Sequence, residues 1–151
     1  MDKVNIYTDG SCLGNPGHGG WAAILVCRGK EKVISGGEAE TTNNRMELLG
    51  AISAFEALKR PCDVYFCSDS KYVIDGLSKG WALSWRANNW KKSDKSPALN
   101  PELWDRLLNA IEGHVITYDW IKGHAGHEYN ERCDKKAKEE AEKFTGEGDP
   151  K

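Results

Sequence analysis

The stretch VNIYTDGS, residues 4–11, alternates apolar and polar side chains and ends in an acidic turn sequence. A second stretch, DVYFCSDS at residues 63–70, is nearly all apolar before it too ends in Asp and Ser. The alternation predicts a strand at residues 3–9 that ends at Asp9, and the apolar run predicts a strand in the middle of a sheet. If the two strands are parallel neighbours, Asp9 and Asp69 lie at the same edge of the sheet, where ligand sites of α/β sheets form.

Two further strands are predicted at residues 20–27 and 32–41, after a loop, CLGNPGHGG, that is rich in turn residues. Short connections between the first three strands indicate an antiparallel meander. The pair Gly36–Gly37 predicts a bulge or an edge position in the third strand.

Helices and strands alternate after the meander, which indicates a mixed α/β sheet with helices packed on it. A helix is expected to begin between Thr42 and Asn44, to carry a buried apolar stripe that includes Leu58, and to end at Pro61. The later elements are expected as a helix from Ser70 to about Leu77, a short helix from Trp81 to Trp90, a helix from Pro101, a strand at 114–121 and a helix from 127 or 128 to 143.

Size and composition predict one soluble domain. The chain has 151 residues, of which 39% are hydrophobic and 29% charged, values that suit one globular core at residues 1–145 and a polar tail at 146–151. No apolar run approaches the roughly 20 residues that a membrane span needs. The start, MDKVNIY, enters a strand pattern at once, so no secretory signal is expected. Five cysteines without a CxxC pair predict reduced thiols and a cytoplasmic location.

The net charge of −2 argues against nucleic-acid binding by the whole surface. One segment differs, because residues 79–95 carry five basic side chains against the single acid Asp94. The basic residues are Lys79, Arg86, Lys91, Lys92 and Lys95.

Two more acids have unusual settings: Glu47 follows the caps of the first helix, one step off its apolar stripe, and Asp134 lies on the last helix. Each acid alone could be a turn former, a helix cap or a solvated side chain. Carboxylates that folding brings together from strand ends and helix starts are what an oxygen-rich divalent-metal site needs.

Four motifs occur in one order along the chain. They are TDGSCLGNPGHGGWA, TTNNRMELLGAISAFEAL, SDSKYV and WIKGHAGHEYNERCDKKA. Together they resemble the type 1 ribonuclease H family, of the bacterial HI type, over about residues 3–143. The resemblance implies hydrolysis of the RNA strand of RNA–DNA hybrids with Mg²⁺, or Mn²⁺ as a substitute. It also implies a ribonuclease H-like α/β fold, with a five-stranded mixed sheet of three antiparallel strands plus two parallel strands, flanked by helices.

Carried over by motif, the catalytic residues are expected to be Asp9, Glu47, Asp69, His124 and Asp134. The four carboxylates would bind the metal, and His124, in a glycine-flanked loop, would move a proton or help the product leave. Two ions, expected with substrate bound, can serve both oxygens of an in-line displacement. Because crowded carboxylates repel one another, at least one should have a raised pKa without metal.

Substrate contacts are expected from amides in loop and cap positions, Asn15, Asn43 and Asn44. Such groups suit sugar hydroxyls and base edges in the minor groove of an A-like hybrid. By resemblance, Thr42 and Asn15 lie where the family binds a phosphate of the DNA strand. Lys71 departs from the family pattern, which commonly has Gln there, and a lysine cannot accept a hydrogen bond.

Residues 81–95 resemble the basic protrusion of the family, called here the handle. Its tryptophans are expected mainly to form the packing core of the handle rather than platforms for base stacking, with Trp81 the one that faces the DNA. Arg86, Lys91 and Lys92 are expected to bind phosphates, which makes affinity depend on salt. The handle is lightly charged, so weaker substrate affinity is expected than from a fully basic one.

The expected protein is a monomeric, cytoplasmic endoribonuclease with no obligate protein partner, which leaves 5′-phosphate and 3′-hydroxyl ends. Two alternatives remain open at this point. One is a DNA nuclease of the same superfold, although such enzymes generally lack the handle and the KGHAGHEYNERCD segment. The other is a non-catalytic hybrid-binding module, in which a lost carboxylate would be expected, whereas all four are present.

Overall fold

Five strands form one mixed sheet in the computed structural model, which describes residues 1–122 and 127–147. Helices follow the third strand and alternate with the remaining two. The elements in chain order are β1 (Asp2–Gly14), β2 (Gly17–Cys27), β3 (Lys30–Thr41), α1 (Asn43–Glu56), β4 (Cys62–Ser68), α2 (Lys71–Ser78), α3 (Trp81–Ala87), α4 (Pro101–Ile111), β5 (Val115–Trp120) and α5 (Glu128–Glu147).

The strand order is β3-β2-β1-β4-β5. β1, β2 and β3 pair antiparallel, whereas β4 is parallel to both β1 and β5. The predicted mixed sheet of three antiparallel and two parallel strands is therefore confirmed. β3 is an edge strand, as Gly36–Gly37 predicted, but the register shift in its pairing with β2 lies between Gly17 and Gly19.

The prediction that the first strand ends at Asp9 is wrong. β1 continues to Gly14, and its last residues pair with the start of β2, from Gly10 opposite Trp21 to Gly14 opposite Gly17. The segment expected to be a loop is thus the tip of a hairpin. Only Asn15 and Pro16 lie between the two strands. The glycines of this segment, which also suggested a loop, pair within the two strands.

The helix boundaries differ from the prediction at three places. α1 ends at Glu56, although Leu58 still packs against the core in the turn that follows. α3 ends at Ala87, because Asn89 and Trp90 adopt left-handed backbone conformations, with φ of 55° and 61°. α5 runs through residue 147, past the predicted helix end at residue 143. For residues 148–151, which lie outside the described ranges, the tail stays a prediction.

One face of the sheet packs against α1, and α4 packs on α1. Ile6 of β1 and Phe66 of β4 are fully buried there, together with Phe55 of α1 and Trp104 of α4. Burying apolar side chains of this size stabilises a fold by roughly 1.5–3 kcal/mol each. None of the described helices has the length and apolar character that would let it cross a membrane.

The other face packs against α5, which approaches β2 closely. Ala22 and Ile24 contact Cys133 and Ala137 there. At Gly20, an added Cβ would overlap the carbonyl oxygen of Ala137 on α5. This close contact fixes the position of the helix that carries Asp134.

We predict that Gly20→Ala lowers the free energy of unfolding by about 1–3 kcal/mol, the usual cost of overpacking. The new Cβ would lie 2.7 Å from the main-chain nitrogen of Ala141, an atom that cannot rotate away. Gly50→Ala is the matched control, since its Cβ would meet its nearest neighbour at 3.4 Å. Alanine also favours a helix interior by about 1 kcal/mol. Urea denaturation of both variants checks this, and equal stability of the two would contradict the close approach of α5.

Candidate metal centre

Asp9 and Asp69 are neighbours because of the parallel pairing of β1 and β4. The pairing extends to Tyr7 and Cys67, and each acid lies two residues further along its chain. β4 ends at Ser68, so Asp69 begins the link to α2, whereas Asp9 lies within the extended part of β1. The expectation that both acids share one edge of the sheet is confirmed.

Glu47 joins them because the start of α1 touches β1. An added Cβ at Gly10 would lie 2.5 Å from the main-chain nitrogen of Glu47 and 2.6 Å from the carbonyl carbon of Met46. The Asp9–Gly10 sequence therefore serves a close approach of helix to strand, rather than a turn. Only glycine at position 10 lets the helix bring the Glu47 side chain next to Asp9.

The three carboxylates form what is called here the acid cluster, Asp9, Glu47 and Asp69. One oxygen from each lies within 4.8 Å of the others. Asp9 is 3% exposed and Glu47 is 6% exposed. The buried Oε1 of Glu47 has no hydrogen-bond partner among the described residues. Converging carboxylate oxygens, one of them unsatisfied, match the oxygen-only ligand set that Mg²⁺ and similar cations take.

Burial and repulsion in the cluster disfavour the charged forms. Burial, followed by the charges of Asp69 and Asp134, raises the pKa of Asp9 to about 8. Burial, followed by the charges of Asp9 and Asp69, raises the pKa of Glu47 well above its usual value. Both shifts have the direction expected of crowded carboxylates, with burial as the larger cause, and the raised pKa of the metal-free site stays a prediction for titration.

Asp134 lies beside the cluster rather than within it. Its charge and its hydrogen bond with Asp9 both raise the pKa of Asp9, so the two side chains are close. Its Oδ2 also pairs with Nζ of Lys138 at 3.0 Å, one turn further along α5. The structure thus gathers three of the four expected carboxylates and places the fourth next to Asp9, so metal binding by Asp134 stays a prediction.

His124, the expected proton carrier, lies outside the described residues, so its role stays a prediction. The neighbouring element is α5, which begins one residue after His127. The main-chain carbonyl of His127 accepts a hydrogen bond from Glu131 N–H at 2.9 Å, as expected for a residue at a helix start.

The expected amide contacts gather in one cavity of about 480 Å³, called here the amide cavity. Oδ1 of Asn15 accepts a hydrogen bond from Asn43 N–H at 3.1 Å, which ties the hairpin tip to α1. Oγ1 of Thr42 accepts from Arg45 N–H at 3.3 Å and caps α1, so it also has a structural role. The lining residues are Asn15, Thr42, Asn43, Asn44, Leu99 and Asn100.

Sequence reasoning missed Asn100 as a lining residue of the amide cavity. It precedes Pro101 at the start of α4 and has a left-handed backbone, with φ of 55°. An Asn-Pro pair at a helix start is a signal of such a conformation, but by itself it indicates a turn rather than a ligand site.

The handle borders a second cavity, of about 500 Å³, called here the handle cavity. Trp81 lines this cavity and is 44% exposed, and its contact with DNA stays a prediction. Arg86 is instead engaged with α4, where its guanidinium lies 3.3 Å from a carboxylate oxygen of Asp105. The lining residues are Tyr72, Trp81, Ser84, Trp85, Asn88, Lys91, Lys92 and Ser93.

Lys71 is the first residue of α2 and is exposed close to the acid cluster. Its Nζ lies 5.1 Å from the centre of the Trp120 ring, over the indole face. The Trp120 indole N–H in turn donates a hydrogen bond of 3.0 Å to the main-chain carbonyl of Asp69.

A mixed sheet in which carboxylates converge just beyond the pairing of two parallel strands is the arrangement of a metal-dependent nuclease. The ribonuclease H family model matches residues 1–142, and the chain belongs to this family.

Curated and solved relatives agree with this assignment. The ribonuclease H of Mesorhizobium japonicum is 59% identical over 137 residues, which cover 91% of this chain and 77% of that protein. The structure of LC9-RNase H1, a type 1 RNase H with the type 2 active-site motif, has a TM-score of 0.82 and 33% identity, covering 93% of this chain and 72% of that one. LC11-RNase H1 in complex with RNA/DNA hybrid shares the fold, with a TM-score of 0.69, 24% identity and coverage of 94% and 99%.

We predict that the metal-free protein loses stability as the pH rises from about 4 through about 8. Across that range the folded state keeps a proton on Asp9, whose pKa is raised to about 8, while the unfolded state has released it. Asp9→Asn removes this titration, so the stability of the variant relative to the wild type should rise by several kcal/mol between pH 5 and pH 9. Urea denaturation with a chelator at pH 5, 7 and 9 measures the difference. A constant difference between variant and wild type across this range would contradict the raised pKa.

Proposed function

We propose that the protein is an endonuclease that hydrolyses the RNA strand of RNA–DNA hybrids with divalent metal ions, leaving 5′-phosphate and 3′-hydroxyl ends. The observation that carries the proposal is the acid cluster, whose three carboxylate oxygens lie within 4.8 Å of one another, with Asp9 and Glu47 buried. Membership of the ribonuclease H family supports the substrate, and the related LC11-RNase H1 binds an RNA/DNA hybrid.

The chain supplies a preorganised set of acids for this reaction. Asp9, Glu47 and Asp69 would hold Mg²⁺, or Mn²⁺ as a substitute, and we propose two ions with substrate bound. When bound, the ions supply positive charge that favours deprotonation of the attacking water and stabilises the leaving 3′ oxygen. Asp9 and Glu47 must give up their protons for this role, so cation binding and deprotonation are coupled. Asp134 completes the set from α5, and His124 carries protons to or from the reacting oxygens.

Recognition of the hybrid falls to the amide cavity and the handle cavity. Amides of the amide cavity suit the 2′-hydroxyls and base edges that an A-like minor groove displays, which favours a strand of RNA. Thr42 and Asn15 in that cavity, and Lys91 and Lys92 in the handle cavity, would bind phosphates of the DNA strand. Because Arg86 pairs with Asp105, it contributes less charge to this surface than the sequence suggests.

We further propose that the enzyme acts as a monomer in the cytoplasm. All the carboxylates of the site come from one chain, so a second copy is not needed to complete it. The five cysteines are free, which suits a reducing compartment.

The proposed acids are tested by Asp9→Asn, Glu47→Gln and Asp69→Asn on a labelled RNA–DNA hybrid with Mg²⁺. We predict that each lowers kcat at least a hundred-fold, because removing one charged ligand weakens the positive field at the reacting phosphate. Hybrid binding, measured by fluorescence anisotropy, should change less than five-fold. Asp63→Asn, at the other end of β4, is the matched control and should cleave at the wild-type rate.

The same assay separates the two alternatives. A DNA nuclease would cleave matched DNA duplex as fast as hybrid, and a binding module would bind hybrid without Mg²⁺-dependent cleavage. Either result for the wild-type protein would overturn the proposed function.

A further inference from the structure

The link between β4 and α2 is short, and its first carbonyl lies outside the helix. Ile74 N–H donates to the carbonyl of Ser70 at 3.0 Å, the first hydrogen bond of α2, so the preceding carbonyl, that of Asp69, lies before the helical ladder. The indole N–H of Trp120 donates to this carbonyl at 3.0 Å. The peptide group that follows the Asp69 side chain is therefore oriented by an aromatic residue of another strand.

Trp120 can do this because of its place in the sheet. It is the last residue of β5 and pairs in register with Ser68, the last residue of β4. The next residue, Ile121, donates its N–H to the carbonyl of Ser68 at 3.0 Å. Two consecutive carbonyls, of Ser68 and Asp69, are thus bonded from the end of β5, one by main chain and one by the indole.

The Trp120 indole also contacts the ammonium group of Lys71. Nζ of Lys71 lies 5.1 Å from the ring centre of Trp120, and the ring is 39% exposed. A cation over an indole face is attracted by the ring quadrupole. The long lysine side chain is thereby directed toward β5, on the side where Asp69 enters the acid cluster, instead of extending freely into solvent.

We propose that Trp120 is a positioning residue for the reaction: its N–H orients the Asp69 peptide, and its face directs the Lys71 ammonium to a phosphate of the RNA strand next to the cleaved one. The inference rests on the proposed function. Lys71 lies two residues from Asp69, so a strand that places a phosphate at the acid cluster brings its neighbouring phosphate within reach of this lysine. An ammonium offers three donors and no acceptor, which suits a phosphate rather than a base edge.

Four variants separate the two roles. Trp120→Phe removes the N–H and keeps an aromatic face, so it should lower kcat about five- to ten-fold with KM within two-fold. It should also weaken Mg²⁺ binding without substrate, measured by calorimetry. Lys71→Met should raise KM about three- to ten-fold at unchanged kcat, with a salt dependence shallower by about one unit of slope. Trp120→Leu should combine both effects, and adding Lys71→Met to it should change KM less than two-fold.

Lys59→Met, an exposed lysine at the opposite end of β4, is the matched control and should leave KM and the salt slope unchanged. Thermal melting confirms that each variant is folded. If Trp120→Leu does not fold, Trp120→Phe tests the role of the N–H and Lys71→Met tests the role of the cation.

Wild-type kcat and Mg²⁺ affinity in Trp120→Phe would overturn the positioning role. An unchanged KM in Lys71→Met, or an equal effect of Lys71→Met with and without the indole, would overturn the phosphate contact. Absence of hybrid cleavage by the wild type would refute the proposed function instead, and Mg²⁺ affinity would still test Trp120.

Discussion

Mutual repulsion of carboxylates in a buried place is the constraint on which the rest of the site depends. Asp9, Glu47 and Asp69 converge within 4.8 Å, and burial together with neighbouring charge disfavours the charged forms of Asp9 and Glu47. The main chain keeps them together: β1 and β4 pair up to two residues before the aspartates, and the contact at Gly10 brings α1 against β1. Folding therefore brings the carboxylates into an arrangement that is unfavourable when all are charged. Bound protons neutralise it in the metal-free protein, and bound cations would neutralise it in the active enzyme.

The handle cavity and the amide cavity are linked to each other by a small hydrogen-bond network. The hydroxyl of Tyr72, which lines the handle cavity, accepts from the Asn100 amide at 3.3 Å and from the buried Trp104 indole at 2.9 Å. Asn100 lines the amide cavity. The Tyr72 side chain of α2 and the start of α4 thus connect the two cavities through the buried Trp104. A duplex that contacts both cavities meets a spacing determined by the core rather than by flexible loops.

Much of the fold could be predicted, because strand and helix periods are local properties of the sequence. The residue pattern placed Asp9 beside Asp69 only on the condition that their two strands are parallel neighbours. The order and direction of the strands came from the resemblance to the family, not from periodicity. The hairpin beyond Asp9 was missed because its glycines resemble a loop when their partners across the strand are unknown. Asn100 was missed, and the pairing of Arg86 with Asp105 was not foreseen, because both depend on how α4 packs against distant segments.

The central claim is that the acid cluster is held in a strained charge state that a divalent cation relieves. A carbon-detected NMR titration of the Asp9 carboxyl, with and without Mg²⁺, tests it most directly. In the metal-free protein the carboxyl should titrate with a pKa of about 8, and Mg²⁺ should lower that pKa by competing with the proton. A carboxyl that titrates at its ordinary value and does not respond to Mg²⁺ would contradict the account.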